Sequence, residues 1–149
     1  MRVPTLCMPV GIVASGKTTF SRQWAKENDP TIIIEVDKFR TLFHDVYTFD
    51  PEEENIIWDL VVKATSWWLD WNVNVVVDDA VFFLKKSNRI QFLSDVSGYC
   101  PFEYEVEWDF MPMPTDEQVA ERRGREGRGY SVEEWLEVAR RQRSELEKD

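Results

Sequence analysis

Two kinds of apolar segment alternate along this chain. Runs of apolar and β-branched residues predict three strands, at 6–10, 31–36 and 73–77. The segments that follow them keep apolar residues at helical spacing and predict three helices. One begins near Gly16, one begins near Asp37 and carries Phe39, Leu42 and Phe43, and one covers roughly 84–96. Strands that alternate with helices predict an α/β fold, a three-layer αβα sandwich with a mainly parallel sheet.

The longest predicted helix follows Asp50. This residue supplies an N-cap, Pro51 suits the first turn, and three glutamates follow at the positive end of the helix dipole. The apolar residues of this helix keep helical spacing and are expected to face the core: Ile57, Leu60, Val61, Ala64, Trp67, Trp68 and Trp71. Core packing is therefore the expected role of these three tryptophans, and of Trp24 and Trp135, rather than stacking on nucleic-acid bases.

The last third of the chain predicts one more strand and two helices. Residues 102–110 alternate strictly between apolar residues and acids, which is typical of a strand with one wet face at a sheet edge. Capping boxes at 115–118 and 131–134 each predict the start of a helix. The segment 122–129 between them carries four arginines among three glycines. We expect a mobile, arginine-rich lid at approximately 114–130.

Composition and charge exclude several classes of protein. A chain of 149 residues, 43% of them apolar, is long enough for one domain with a core, so we expect a single domain over 1–149. The net charge of −10 provides no general attraction to nucleic acid or to an anionic membrane. No apolar run approaches the roughly 20 residues of a membrane span. Cys7 and Cys100 are too few for a disulfide scaffold and are expected to be buried thiols.

The residues between the first strand and the first helix carry the most specific motif. From Gly11 to Thr18 the sequence matches G-x-x-x-x-G-K-[ST], a loop whose backbone N–H groups and following helix bind nucleotide phosphates. Lys17 is expected to reach the β- and γ-phosphates, and Thr18 to bind Mg²⁺. The predicted nucleotide-binding residues are Gly11, Ala14, Ser15, Gly16, Lys17, Thr18 and Thr19. The alternative interpretation is a glycine-bounded turn in which Ser15 starts the helix; the position of the motif between a predicted strand and a predicted helix favours the phosphate-binding loop.

Acidic residues follow two other predicted strands. Asp37 and Arg40 form a D-x-x-R pair at the start of a helix, and Asp78 and Asp79 end an apolar strand. Parallel strands end at one sheet edge, so these residues should lie near the phosphate-binding loop. There a carboxylate can accept a hydroxyl proton, bind Mg²⁺ or orient a substrate. The alternatives are a helix cap with a surface charge for the pair, and a simple turn for the two aspartates.

Together these segments resemble the small phosphate-loop (P-loop) kinases typified by the bacteriophage polynucleotide 5′-kinase. The resemblance covers the loop, 34–40, 75–79 and 119–134, in the same order along the chain. It implies an adenylate-kinase-like P-loop fold, ATP as the phosphate donor and Mg²⁺ as cofactor. By position in these motifs, it makes Asp37 the general base and makes Arg40 and Asp79 the residues that engage the acceptor. It likewise implies that the lid arginines contact ATP: Arg122, Arg125 and Arg128.

The resemblance further implies transfer of the γ-phosphoryl group of ATP to a hydroxyl, first of all the 5′-OH of DNA or RNA. Related kinases of this build phosphorylate nucleosides, antibiotics, nucleotide sugars or modified DNA bases. A small-molecule hydroxyl is therefore the alternative acceptor, and the acidic charge favours it. A nucleotide-binding module without an acceptor is a second alternative, against which the D-x-x-R pair argues. We expect a soluble cytoplasmic enzyme, in the host cytoplasm if a phage encodes it.

Overall fold

The computed structural model describes residues 2–42, 44, 50–79, 81–124 and 129–147. Its strands are β1 (Thr5–Val10), β2 (Thr31–Glu35), β3 (Asn74–Asp78) and β4 (Glu105–Phe110). Its α-helices are α1 (Lys17–Glu27), α2 (Val36–Arg40), α3 (Pro51–Asp70), α4 (Lys86–Tyr99), α5 (Asp116–Gly124) and α6 (Val132–Glu145). A 3₁₀ turn, Phe82–Leu84, precedes α4.

The four strands form one parallel sheet. Their order is β2-β3-β1-β4, and Leu6 of β1 lies opposite both Val75 of β3 and Val106 of β4. Parallel neighbours need a crossover long enough to contain a helix, and the alternation of strands and helices supplies it. The predicted α/β sandwich with a parallel sheet is confirmed, and so is the edge position of the last strand. The carboxyl ends of all four strands therefore share one edge, where connecting loops can meet.

Side chains of β1 alternate between the two faces of the sheet. Leu6, Met8 and Val10 pack with residues of α3 and α4 in the larger core. Cys7 packs on the opposite face, against Trp24 of α1. This alternation buries the central strand on both sides, as expected for a parallel sheet between helices. It also places the loop after β1 in the middle of the carboxyl edge.

The predicted helix starts at the capping motifs are confirmed. The Asp50 side chain accepts the backbone N–H two residues later at the start of α3. Ser131 and Glu134 form a reciprocal capping box at α6, and Thr115 and Gln118 exchange the same two hydrogen bonds before α5. These caps satisfy backbone donors that a helix leaves unpaired in its first turn.

The outer face of α3 is more apolar than predicted. Leu60, Trp67 and Trp71, expected to face the core, are 39%, 54% and 66% exposed. Helical periodicity identifies residues that share a face, but it does not say how wide a stripe the sheet covers. Core packing was therefore the wrong prediction for these two tryptophans, whereas it is right for the buried Trp24 and Trp135. Within the described ranges, neither α3 nor another helix is long and apolar enough to cross a membrane.

The helix that follows β2 is shorter than its apolar pattern predicts. It ends at Arg40, so Leu42, expected on the helix, lies beyond it and is exposed. Of the other two apolar residues assigned to it, Phe39 lies on the helix and Phe43 lies outside the described residues. The Arg40 side chain is buried at this end, where it contacts carboxylates of its own helix, of α3 and of the residue after β3.

The acidic face of β4 is less exposed to water than the alternation predicts. The strand begins at Glu105, after the exposed Phe102 rather than at it. Glu107 is half-buried and accepts a hydrogen bond from the indole N–H of Trp24 at 2.9 Å. Because α1 packs on this face of the sheet, its tryptophan reaches the edge strand and partly covers the carboxylates.

Candidate active site

The phosphate-binding loop lies between β1 and α1, where the motif predicts it. Gly16 caps α1 with φ +94°, a left-handed conformation that glycine adopts without strain. Gly11 is required for space: a Cβ there would lie 2.4 Å from Ser15 Oγ and 2.9 Å from Met111 Cβ. The two motif glycines are therefore needed by the shape of the loop. The N-terminus of α1, with its unpaired N–H groups, opens into the adjoining cleft.

Lys17 is folded back onto the loop. Its Nζ donates to the carbonyl oxygens of Gly11 at 3.0 Å and of Ile12 at 2.8 Å, and the residue is 6% exposed. Burial lowers the pKa of Lys17 to about 8, an effect opposed by nearby carboxylates, of which Asp78 is the strongest. An ammonium in this position can exchange loop carbonyls for the oxygens of a bound phosphate.

Two helices from the end of the chain hold the loop from outside. Gln142 of α6 is buried and accepts a hydrogen bond from the Val13 N–H at 2.6 Å. Arg122 of α5 donates to the carbonyl oxygen of Ala14, a residue with φ +63°. Arg122 thus lies beside the loop, as its assignment to the phosphates requires. Sequence reasoning missed Gln142, since no motif distinguishes it from other polar residues of α6.

Oxygen ligands meet at the start of α1. Thr18 donates its hydroxyl to Asp78 Oδ2, at the end of β3, over 3.0 Å. Burial raises the pKa of Asp78, and the ammonium of Lys17 opposes this effect. Hydroxyl and carboxylate oxygens are ligands that suit Mg²⁺. Thr18 and Asp78 therefore suit the Mg²⁺ ion that accompanies a nucleoside triphosphate. The sequence allowed two interpretations of Asp78, a ligand of Mg²⁺ or a residue of a simple turn, and its contact with Thr18 favours the first.

Arg40 is the centre of a second group of side chains. Its guanidinium is 6% exposed and donates to Asp37 at 2.6 Å, to Asp79 at 2.7 Å and to both oxygens of Glu54 at 2.9 and 2.8 Å. Burial acts to lower the pKa of Arg40, but the hydrogen bonds to Glu54 and the charge of Asp79 outweigh it and raise the pKa above its usual range. One cation thus joins carboxylates from α2, α3 and the end of β3, a group we call the Arg40 cluster.

The two aspartates of the Arg40 cluster have different surroundings. Asp79 is buried, and its Oδ2 also accepts the backbone N–H groups of Val81 at 3.3 Å and Phe82 at 3.0 Å. The side chain of Asp37 is 39% exposed and lines the cleft. A carboxylate that is oriented by Arg40 yet open to the cleft is suited to accept a proton from a bound hydroxyl. Asp79 is suited to hold Arg40 in place.

Glu54 is the member of the Arg40 cluster that sequence reasoning missed. Its position in the first turn of α3 indicated only a favourable interaction with the helix dipole. Fourteen residues separate it from Arg40, and no spacing rule links the two positions. The pairing arises because α2 packs against the start of α3, which is tertiary information.

The loop and the Arg40 cluster line one cleft of about 2190 Å³ at the carboxyl edge of the sheet. The predicted site residues that line it are Ala14, Ser15, Gly16, Lys17, Thr18, Thr19, Asp37, Arg40, Asp79 and Arg122. Gly11 supports the loop without lining the cleft. Arg125 and Arg128 lie outside the described residues.

Solved structures with similar folds include several kinases and a chain of an RNA repair complex. In the structure of the Pnkp1/Rnl/Hen1 RNA repair complex, 47% of one chain aligns with 99% of this chain, with TM-score 0.70 and 19% identity. A sugar kinase from Janibacter sp. HTCC2649 aligns over 80% of its length with 99% of this chain, with TM-score 0.66 and 17% identity. A gluconokinase from Sinorhizobium meliloti 1021 aligns over 78% of its length with 99% of this chain, with TM-score 0.61 and 19% identity.

These likenesses define the fold class of this protein. The parallel sheet with helices on both faces and a phosphate-binding loop after β1 is the fold of P-loop kinases. This chain spans less than half the length of the chains it matches in the RNA repair complexes, 47% and 40%. No protein-family model and no curated protein sequence matches it significantly.

Proposed function

We propose that this protein is an ATP- and Mg²⁺-dependent phosphotransferase that moves the γ-phosphoryl group of ATP to a hydroxyl group. The observation that carries the proposal is the presence, in one cleft, of a phosphate-binding loop and of Asp37 oriented by Arg40. A nucleotide-binding module needs only the loop, whereas a kinase also needs a group that accepts the hydroxyl proton. The sugar kinase and gluconokinase of similar fold support the same reaction class.

The loop serves the donor side of the reaction. Its backbone N–H groups and the N-terminus of α1 bind the phosphates, and Lys17 places a positive charge at the β- and γ-phosphates. Thr18 and Asp78 hold Mg²⁺, which, when bound, neutralises part of the charge on these phosphates. Arg122, with Arg125 and Arg128 predicted beyond it, adds positive charge where charge develops during transfer.

The Arg40 cluster serves the acceptor side. The acceptor oxygen attacks the γ-phosphorus, its proton passes to Asp37, and the bond from the γ-phosphorus to the oxygen of the departing ADP breaks. Arg40 orients the Asp37 carboxylate, and Asp79 orients Arg40. Catalysis here is mainly positioning, so the value of the cluster is its fixed geometry.

Two acceptor classes have support. The resemblance in sequence favours the 5′-OH of DNA or RNA, and the similarity to a chain of an RNA repair complex agrees with it. A small-molecule hydroxyl is the second candidate, and one observation favours it. Arg40, the residue assigned to the acceptor, already bonds three carboxylates.

The test is transfer of label from γ-labelled ATP to a panel of hydroxyl compounds in the presence of Mg²⁺. The panel contains 5′-hydroxyl DNA and RNA oligomers, 3′-mononucleotides, free nucleosides and monosaccharides, and Asp37→Asn is the control. Label that reaches one class of acceptor and is lost in Asp37→Asn supports the kinase and identifies its acceptor. Hydrolysis of ATP without transfer to any compound, at the same rate in Asp37→Asn, would contradict the proposal.

A further inference from the structure

The part of the cleft beyond Asp37 is acidic. We call it the acceptor half, meaning the walls formed by α2, α3, Asp79 and the segment 81–88. Its charged side chains include the acids Asp37, Glu54 and Asp79 and the cations Arg40 and Lys85, together with Asp59, which is paired with Lys63 at 2.8 Å. A ligand in this half therefore meets more negative than positive charge from the described residues. Such a surface repels an anion and accepts a neutral or cationic compound.

The cation nearest to the candidate base is already neutralised. Arg40 donates four hydrogen bonds to Asp37, Glu54 and Asp79, so one positive charge faces three negative charges in the Arg40 cluster. Four of the five N–H groups of Arg40 are taken, so a phosphate on the acceptor could form a paired contact with the guanidinium only by displacing one of these carboxylates. It would then lie beside the two carboxylates that remain, at an energetic cost typical of like charges in a partly buried site.

Glu54 makes two of the four hydrogen bonds of Arg40. It accepts two parallel N–H bonds from Arg40, the geometry in which an arginine pairs most strongly with a carboxylate or a phosphate. Glu54 thus occupies the donor pair of Arg40 that a phosphate would otherwise take. Nη1 of Arg40 donates the other two hydrogen bonds, one to Asp37 and one to Asp79.

A flat aromatic pair lies next to the Arg40 cluster. The rings of Trp58 and Phe82 stack with centroids 3.9 Å apart and an angle of 24°, and both residues line the cleft. Phe82 is tied to the cluster because its backbone N–H donates to Asp79. Edge-on contacts with Phe83 and Phe92 hold Trp58 in position. Aromatic pairs of this kind pack well against the flat ring of a ligand.

We propose that the acceptor is a phosphate-free hydroxyl compound with a planar ring that packs against Trp58 and Phe82, and that Glu54 excludes phosphate-bearing acceptors by occupying Arg40. This inference rests on the proposed kinase function and names its acceptor class. Glu54 acts through Arg40 and is therefore a specificity-determining, positioning residue rather than a catalytic one.

The experiment measures binding, so that it does not depend on turnover. A free nucleoside and the same nucleoside with a 3′-phosphate are titrated by calorimetry into the wild-type protein, Glu54→Gln and Glu53→Gln. Glu54→Gln keeps an oxygen for Arg40 and removes the charge. Glu53→Gln is the matched control, because Glu53 lies in the same helical turn but contacts His44 instead.

The wild-type protein should bind the nucleoside at least as tightly as its 3′-phosphate. In Glu54→Gln the affinity ratio should shift by about tenfold towards the 3′-phosphate, and in Glu53→Gln it should stay unchanged. Tighter binding of the 3′-phosphate or of a 5′-hydroxyl oligonucleotide by the wild-type protein would overturn the proposal, and so would an unchanged ratio in Glu54→Gln.

Folding is checked by thermal unfolding of each variant. If Glu54→Gln does not fold, Glu54→Asp replaces it, because the shorter carboxylate cannot bond both Nε and Nη2 of Arg40 as Glu54 does. A smaller shift in the same direction, about twofold, is then expected because the charge stays while the paired contact is lost, and no shift would overturn the proposal. Binding as expected without label transfer would count against the kinase function alone.

Discussion

The two halves of the cleft are built in opposite ways. The phosphate-binding half is built mainly on one continuous segment, 11–19, whose buried lysine bonds the carbonyls of its own loop, and Asp78, Arg122 and Gln142 join it from other elements. The acceptor half is assembled from α2, α3 and the end of β3 around one buried arginine. A loop that is shaped by its own backbone tolerates the loss of a side chain, whereas a cluster held by one cation does not. Single substitutions should therefore reduce ligand affinity in the first half and stability in the second.

The largest effect is expected from Arg40→Met. This change leaves three carboxylates together, and those of Asp79 and Glu54 are 1% and 15% exposed. Removing one partner from a buried ion pair typically lowers the free energy of unfolding by about 3–5 kcal/mol. Urea denaturation measures the loss. Lys38→Met, an exposed change on the same helix, should stay within about 0.5 kcal/mol, and an equally small loss in Arg40→Met would contradict the cluster's role in stability.

Lys17→Ala should show the reverse pattern. Burial disfavours the charged form of Lys17, as its lowered pKa shows, so the folded protein no longer bears this cost in the variant. The midpoint of thermal unfolding should therefore stay the same or rise. Affinity for MgATP should fall by about 10- to 100-fold, the value of a charged hydrogen bond to phosphate. Calorimetry and thermal unfolding give the two quantities, with Lys26→Ala on the same helix as control. A variant that unfolds early yet binds MgATP normally would reverse the assignment of the two halves.

The affinity for MgATP should also depend on pH through Lys17. Its pKa is about 8 in the folded protein, so above pH 8 the amine must take up a proton to bind phosphate as an ammonium. The dissociation constant should therefore rise by up to about tenfold per pH unit above 8, and this dependence should vanish in Lys17→Ala. A flat profile in the wild-type protein would mean that the bound lysine carries no such proton.

The same pKa predicts that stability rises with pH, whereas the affinity for MgATP falls. Between pH 8 and the ordinary lysine value of 10.5, the unfolded chain binds the Lys17 proton and the folded chain does not. The free energy of unfolding should therefore rise with pH across this window, by more in the wild-type protein than in Lys17→Ala. Urea titrations at several pH values measure the difference.

The smallest effect is expected far from both halves, at Trp71 on the outer face of α3. Its side chain is 66% exposed, so Trp71→Ser should change the free energy of unfolding by no more than about 0.5 kcal/mol. Trp24→Ser, at a buried position, should cost about 3–5 kcal/mol and serves as the comparison. Equal losses in the two variants would mean that the outer face of α3 is covered in solution.

The phosphate-binding half could be predicted from the sequence because most of its residues are contiguous in the chain. The spacing of Gly11, Gly16 and Lys17 alone defines the loop, and the strand and helix around it follow from local patterns. Asp37 and Arg40 were also accessible, since they are three residues apart. Glu54 and Gln142 were not, because each reaches the site through packing between distant elements. The exposed face of α3 was mispredicted for the same reason: periodicity does not show how much of a helix its neighbours cover.

The central claim is that Asp37 accepts the proton of an acceptor hydroxyl opposite a bound ATP. It is tested most directly by measuring γ-phosphoryl transfer and MgATP affinity side by side in the wild-type protein and in Asp37→Asn. Loss of a general base should lower transfer by about 10²- to 10⁴-fold, while MgATP affinity stays within about twofold because the loop is untouched. A variant that transfers phosphate at near the wild-type rate would remove Asp37 from that role.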